Sequence, residues 1–217
     1  MIVVAIVNTK GGVGKTTLTS ALAVRAAKDS KRVALVDLDP QRSLVRWWER
    51  RGEPENPMML SGVDEVKEAI QRLSETGWDW VFLDGPPAFL QSVEEMVEHA
   101  DFVLIPMRSG VTDALASEDA IVISRDAGIA HAVVINGVVG TERVHVGLTE
   151  ALKANGVPFT KTVIKHRQSH IQGMNVGKSA AEVNSSKDKK AAAEIDALWK
   201  EVKSAAMKAS KKRGASK

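Results

Sequence analysis

There is no cysteine among the 217 residues. That single absence removes disulfides, thiolate zinc sites, iron–sulfur clusters and any cysteine nucleophile. It also fits a reducing compartment, so a cytoplasmic chain is expected. The opening run, MIVVAIVNTKGG, has no basic segment ahead of its apolar residues and is far too short to span a bilayer. No signal peptide or membrane span is therefore expected. The five histidines are scattered without metal-ligand spacing, and no metal site made of protein ligands alone is expected. Internal repeats and long linkers are also missing. What remains is ordinary globular material, 44% hydrophobic and 26% charged. That is enough for one domain with a full core and no covalent staples.

Net charge is small, +3, but it is unevenly placed. Residues 187–217 carry ten Lys/Arg and four Asp/Glu, which leaves 20 basic and 23 acidic residues in 1–186. The basic balance belongs to the C-terminal end. Such asymmetry points either to a polyanion, nucleic acid or an anionic membrane, or to a solvated, disordered tail. A domain over 1–207 and a basic, flexible tail over 208–217 are expected.

Apolar runs alternate with helical spacing. Strands are expected at Ile2–Val7, Val33–Val36, Met58–Leu60, Trp80–Leu83, Phe102–Ile105, Ala132–Ile135 and Phe159–Ile164. Helices are expected at Lys15–Ala27, Val63–Leu73, Val93–Glu98, Ala114–Arg125, Val146–Ala154 and Ala191–Met207. This pattern predicts an α/β fold, a mostly parallel twisted sheet covered by helices on both faces. Ligands bind such sheets outside the carboxyl ends of the strands, so the polar residues there are the ones to inspect.

The first strand runs into Lys10-Gly11-Gly12-Val13-Gly14-Lys15-Thr16-Thr17 and then a helix. Strand, glycine turn and helix are the context a phosphate-binding loop requires. Glycines let backbone N–H groups converge on phosphate oxygens, and the helix N-terminus adds partial positive charge. In this reading Lys15 reaches the β- and γ-phosphates and the Thr16 hydroxyl ligates Mg²⁺. The standard loop has glycine five positions before Gly14, where this chain has Thr9, and it adds Lys10.

Lys10–Thr17 resembles the deviant Walker A motif of the ParA/MinD ATPases, a P-loop NTPase group, with Lys10 as the signature lysine. The resemblance extends from residue 1 to about residue 203. Asp37-Leu38-Asp39-Pro40-Gln41 is similar to the family's second motif, Phe82–Pro87 to its Walker B segment, and Asn136 to its adenine-contacting asparagine. The resemblance implies ATP and Mg²⁺ as cofactors, with Gly11, Gly12, Val13, Gly14, Lys15, Thr16, Thr17 and Asn136 around the nucleotide. It makes Lys10, Lys15 and Asp39 catalytic, Asp39 orienting the attacking water, and puts Thr16, Asp37 and Asp84 around the metal. Asp37 and Asp39 share one side of an extended chain, so both are expected to face the phosphates, unless one caps the following helix or turn.

The resemblance further implies an ATP-dependent sandwich homodimer in which Lys10 reaches the partner's phosphates. Three functions compete on this fold. One is a ParA-type ATPase that binds non-specific DNA and segregates a cargo through a partner protein bound to it. Another is a MinD-type ATPase held at the membrane. The third is a metabolic P-loop enzyme activating a small substrate, for which no separate constellation is visible. A membrane helix must present large apolar residues to lipid. Here Ile195, Leu198, Trp199 and Val202 are expected to pack on the domain, and no large apolar residue follows Met207. Lys208, Lys211, Lys212 and Arg213 suit salt-dependent DNA binding, and the resemblance makes Lys165 and Arg167 further candidates; solvent exposure alone is the competing account of both clusters. The first strand begins at Ile2, so no N-terminal helix-turn-helix domain is expected, and a nucleoid-associated cytoplasmic location follows from the DNA reading. Of Trp47 and Trp48, one is expected in the core and the other over a helix.

Overall fold

Strands apolar on both sides need cover on both faces, and the chain supplies it by alternating strands with helices. The computed structural model describes residues 1–29, 31–87, 90–140, 146–183 and 189–215, with only the backbone of 111–116. The strands are β1 (Ile2–Ile6), β2 (Val33–Asp37), β3 (Met58–Met59), β4 (Trp80–Asp84), β5 (Phe102–Met107), β6 (His131–Val138) and β7 (Ile164–Lys165). The helices are α1 (Lys15–Ala27), α2 (Ser43–Arg50), α3 (Val66–Ser74), α4 (Leu90–His99), α5 (Val111–Asp126), α6 (Val146–Ala154), α7 (Gln168–Asn175) and α8 (Lys189–Ala215). The strands form one seven-stranded sheet in the order β3-β2-β4-β1-β5-β6-β7. Every pairing in it is parallel. The expected α/β architecture is therefore present.

The period-2 geometry of a strand divides the core. Val4 and Ile6 of β1, Leu35 of β2 and Phe82 of β4 join Leu18 and Leu22 of α1, Leu44 and Trp47 of α2, and Leu198 and Trp199 of α8 on one face. Val3 and Ala5, Val36 and Leu83 meet Leu73 of α3, Met96 of α4, Ile121 of α5 and Leu152 of α6 on the other. Helix α8 packs where the sequence places it. Trp199 meets Trp80 edge-on at 4.8 Å between ring centres. Its indole N–H donates to Asp29 Oδ2 at 3.0 Å, and Lys203 reaches the same oxygen at 2.8 Å. Arg25 of α1 ties α8 down further through Asp196. Trp47 is buried in the core as expected, while the partly buried Trp48 packs at the core's edge and donates to the Pro57 carbonyl at 3.0 Å.

Three expectations need correction. Phe159–Ile164 is not a continuous strand. Phe159 makes an isolated parallel bridge to Val133, and only Ile164–Lys165 pairs regularly with β6. Between them the Lys161 and Thr162 N–H groups donate to the Glu201 carboxylate of α8 at 2.7 and 2.9 Å, so a helix side chain takes donors a ladder would have used. Residues 208–215 are not a flexible tail. They continue α8, whose Ala- and Lys-rich end has high helix propensity. Arg213 fastens that end to the last turn of α4, donating to the Ala100 carbonyl at 2.6 Å and the Glu98 carbonyl at 2.7 Å. Residues 216–217 of the expected tail lie outside the described residues. Finally, α2 and α7 are helices outside the expected set, although Leu44, Trp47 and Trp48 recur at helical spacing in α2. The residue before α2, Arg42, sits at φ 52°, so no local cap signals its start. Helix α7 has only Ser169 and Gly173 buried.

Candidate nucleotide-binding site

Seven parallel strands point their carboxyl ends at one edge of the sheet, and the segments that follow β1, β2 and β4 meet Asn136 of β6 there. They line a cleft of about 510 Å³ that includes Gly11–Thr17, Asp39, Asn136 and Lys165–Arg167.

The loop after β1 is held from both sides. Gly12 and Gly14 have φ of 74° and 96°, the left-handed region that favours glycine. At Gly14 a Cβ would also lie 2.2 Å from Asn136 Nδ2. Asn136 closes over the loop, donating to the Val13 carbonyl at 2.6 Å. The sequence-derived role of Asn136 concerns the base; its observed contact is with the loop itself. Lys15 is 6% exposed and its ammonium donates to the Asn8 and Lys10 carbonyls, both at 3.1 Å. Burial lowers its pKa, with the Asp84 and Asp39 charges opposing the fall. A buried cation among backbone carbonyls is a natural receptor for a phosphate.

Asn8 lies just ahead of the Lys10–Thr17 motif and is not among the residues the motif points to. It is fully buried at the end of the apolar run of β1. Its amide donates to the Pro106 carbonyl and to Ser117 Oγ, both at 2.8 Å, and its Oδ1 accepts the Lys10 N–H at 2.8 Å. It thereby fixes the Lys10 limb of the loop to β5 and α5. A polar residue ending a doubly buried strand was the available signal, since a buried amide must find partners.

Asp84 ends β4 beside β1 and β2, in register with Ile6 and Asp37. It is completely buried, and Oδ1 accepts the Thr19 hydroxyl at 3.1 Å. Oδ2 has no hydrogen-bond partner among the described residues. Burial, helped by the Asp37 charge, pushes its pKa up to about 7, with nearby hydroxyls and the Lys15 ammonium pulling the other way. An orphaned, buried carboxylate oxygen beside a phosphate loop is a position that a cation would satisfy.

Asp37 and Asp39 do not share a task. Asp37 Oδ2 accepts the Leu44 and Val45 N–H groups at 2.9 and 3.0 Å, and Oδ1 accepts the Asp39 N–H at 3.1 Å. It caps α2 from seven residues upstream. Burial raises its pKa and the three N–H groups oppose the rise. Of the two, only Asp39 borders the nucleotide cleft, with Oδ1 accepting the Gln41 N–H at 2.9 Å. The expectation that both carboxylates face the phosphates gives way to the helix-cap alternative for Asp37.

Of the six basic candidates for DNA, two belong to the cleft. Lys165 and Arg167 line it, and Arg167 pairs with Glu194 of α8. The other four lie on the last turns of α8, at the opposite edge of the sheet, where Lys208, Lys212 and Arg213 border Phe102 and Ile129. Lys208 and Lys211 are exposed. Among the described residues no cluster of metal-ligating side chains occurs and no helix is long and apolar enough to cross a membrane.

Comparison with known proteins agrees with this geometry. The family model described as the CobQ/CobB/MinD/ParA nucleotide binding domain matches residues 4–180. Protein ParA of Rhizobium radiobacter is 32% identical over 206 residues, covering 89% of this chain and 91% of that protein. Maintenance of carboxysome distribution protein A of Gloeobacter kilaueensis is 31% identical over 217 aligned positions, covering 91% and 95%. The MinD cell division protein of Aquifex aeolicus superposes with a TM-score of 0.76 at 20% identity, covering 94% of this chain and 98% of that one, a likeness of fold.

Proposed function

The chain belongs to the CobQ/CobB/MinD/ParA nucleotide-binding family, and on that premise we propose that it is an ATP-hydrolysing positioning switch of the ParA type. One observation carries the reading. A glycine loop with a buried lysine and an unburied carboxylate on Asp39 line a single cleft, and Asp84, with an orphaned carboxylate oxygen, lies buried beside Lys15 and Thr16 of that loop. That set supplies what phosphoryl transfer to water requires: charge neutralisation, a metal position and an orienter for the nucleophile.

In this reading the loop N–H groups of Gly11–Thr17 and the Lys15 ammonium bind the phosphates. Thr16 and Asp84 would hold Mg²⁺, which neutralises charge on the transferred phosphoryl group. Asp37 acts behind them, fixing the turn from which Asp39 projects. Asp39 orients the attacking water. Lys10 acts across a two-fold interface in an ATP-bound homodimer, its limb of the loop stiffened by Asn8. Asn136 holds the loop and borders the base.

The dimer is proposed to bind DNA without sequence preference through Lys208, Lys211, Lys212 and Arg213. Lys165 and Arg167 are assigned to the nucleotide side instead. A partner protein bound to the cargo would stimulate hydrolysis and release the dimer. The relatives named for chromosome partitioning and for carboxysome distribution favour such a cycle over a metabolic reaction. The burial of Ile195, Leu198, Trp199 and Val202 against the sheet argues against insertion of α8 into a bilayer.

The test is Asp39→Ala. It is expected to bind ATP like wild type, to hydrolyse it poorly and to accumulate as dimer; normal turnover overturns the assigned role. A gel shift on random-sequence duplex with ATP, with ADP and without nucleotide, at two salt concentrations, tests the DNA step. ATP-dependent, salt-sensitive retardation is expected, and equal binding in all three states overturns it.

A further inference from the structure

Helix α2 has one end in the hydrolytic site and the other on the segment that follows α7. Its N-terminus is capped by Asp37. Past its C-terminus, Arg51 reaches residues 177–182. The guanidinium forms a two-pronged pair with Glu182 at 2.7 and 2.8 Å, and donates to the Gly177 carbonyl at 3.0 Å. The Trp47 indole N–H donates to the Lys178 carbonyl at 3.2 Å, and the Arg51 guanidinium lies 5.5 Å from the Trp47 ring centre. Backbone meets backbone here. A Cβ on Gly177, whose φ is 67°, would stand 2.2 Å from Arg51 N. Glu182 also accepts the Ser179 N–H at 2.9 Å, so the carboxylate that grips Arg51 rigidifies its own turn.

The turn is in contact with the cleft wall. A Cβ on Gly173 of α7 would lie 2.6 Å from the Lys178 carbonyl, and the Lys178 N–H donates to Gly173 at 2.9 Å. On its other side α7 presents Ile171, Met174 and Asn175 to the nucleotide cleft. The two helices differ in how firmly they are held. Leu44 and Trp47 anchor α2 in the core with no exposed surface. Helix α7 has only Ser169 and Gly173 buried, and its partly buried Met174 packs on the edge of the core, the Sδ accepting the Ser20 hydroxyl at 3.5 Å. If the junction opens, α7 moves and α2 stays.

We propose that Arg51 is a positioning residue for nucleotide binding: by clasping Glu182 and the Gly177 carbonyl it holds the α7 wall against the cleft, and it does so without acting on the hydrolytic step. This rests on the nucleotide reading of the cleft. It deepens that reading by placing control of affinity on a surface remote from the phosphates. Losing the clasp makes the binding-competent wall a fraction of the ensemble, and apparent affinity falls by that fraction. Asp39, held through the core-anchored α2, keeps its geometry.

The experiment titrates Mg²⁺ and N-methylanthraniloyl-ATP into wild type, Arg51→Ala, Arg51→Lys, Glu182→Gln and the reversed pair Arg51→Glu/Glu182→Arg, and measures hydrolysis at saturating ATP. Arg51→Ala is expected to raise the Kd about ten-fold, with kcat within about two-fold of wild type. Glu182→Gln, which keeps the shape and one acceptor, is expected to lose about three-fold and gives the reading if Arg51→Ala does not fold. Arg51→Lys and the reversed pair are expected to recover part of the loss. A folded Arg51→Ala with wild-type Kd overturns the proposal, as does a fall in kcat at unchanged Kd. Wild type that fails to bind the analogue would instead overturn the nucleotide reading itself.

Discussion

At the carboxyl edge of the sheet Lys15 is 6% exposed and Asp84 wholly buried, whereas at the amino edge Lys208 and Lys211 stand in solvent on the end of α8. Both edges carry basic side chains, Lys165 and Arg167 at the first and Lys208 and Lys212 at the second. Yet it is the first that stores electrostatic free energy, because taking a charge out of water is costly unless a partner or ligand compensates. Exposed lysines contribute almost nothing to stability and act at range on a polyanion. Burial, not charge count, separates a chemical site from an attractive surface.

Lys15→Ala breaks the comparison hardest. Hydrolysis is expected to fall about a thousand-fold, measured as phosphate release at saturating ATP. Thermal stability is expected to be unchanged or raised, since a buried cation is lost together with its desolvation cost. A melting temperature that falls with activity would show Lys15 to be a structural strut. Trp199→Ala, under the other end of the molecule, is expected to do the reverse. The ring is 1% exposed and packs on Trp80 and Phe82, so its removal is expected to cost about 3 kcal/mol in denaturant unfolding. Folded protein at low temperature should still bind nucleotide.

How much of this was legible in the sequence follows the same division. The phosphate loop, Asp84 and the α8 seam could be read because each rests on local spacing: a glycine turn between strand and helix, a carboxylate ending an apolar run, an apolar stripe at helical period. Asp37 could not be assigned, because extended geometry places it on one side with Asp39, while its three N–H partners come from residues up to eight positions away. Helix α2 lacked a local cap, although Leu44, Trp47 and Trp48 carry a helical spacing that could have announced it. Lys165 and Arg167 read as surface charge because the fold alone brings them to the cleft and sets Glu194 against Arg167. The clasp of Arg51 with Glu182 spans 131 residues and leaves no periodic trace.

A smaller effect sharpens the comparison through pH. Burial alone would raise Glu182, but the Arg51 guanidinium and the Ser179 N–H hold it down, from 4.5 to about 2. A depressed carboxylate stabilises the fold above its unfolded value, and that contribution is lost as pH falls through the folded one. Between about pH 4.5 and 2, wild type is therefore expected to lose melting temperature faster than Glu182→Gln, the two converging at the acid end. Parallel curves would mean that the pair contributes no ionic stability.

The smallest effect belongs to the exposed edge and decides what that edge is for. Lys208→Ala/Lys211→Ala removes two solvent-facing charges that touch neither the cleft nor the core. Hydrolysis and melting are expected to match wild type. If the end of α8 meets phosphates, each lost contact releases about one counterion fewer, and the slope of log affinity against log salt should shrink by about 2. Arg213 is a poor substitute for this test, because its guanidinium already caps α4 at Ala100 and Glu98 and its loss would loosen the helix end. An unchanged salt slope in the double variant, with DNA binding intact, would move the DNA-facing surface away from α8 and leave its lysines as solvated charge.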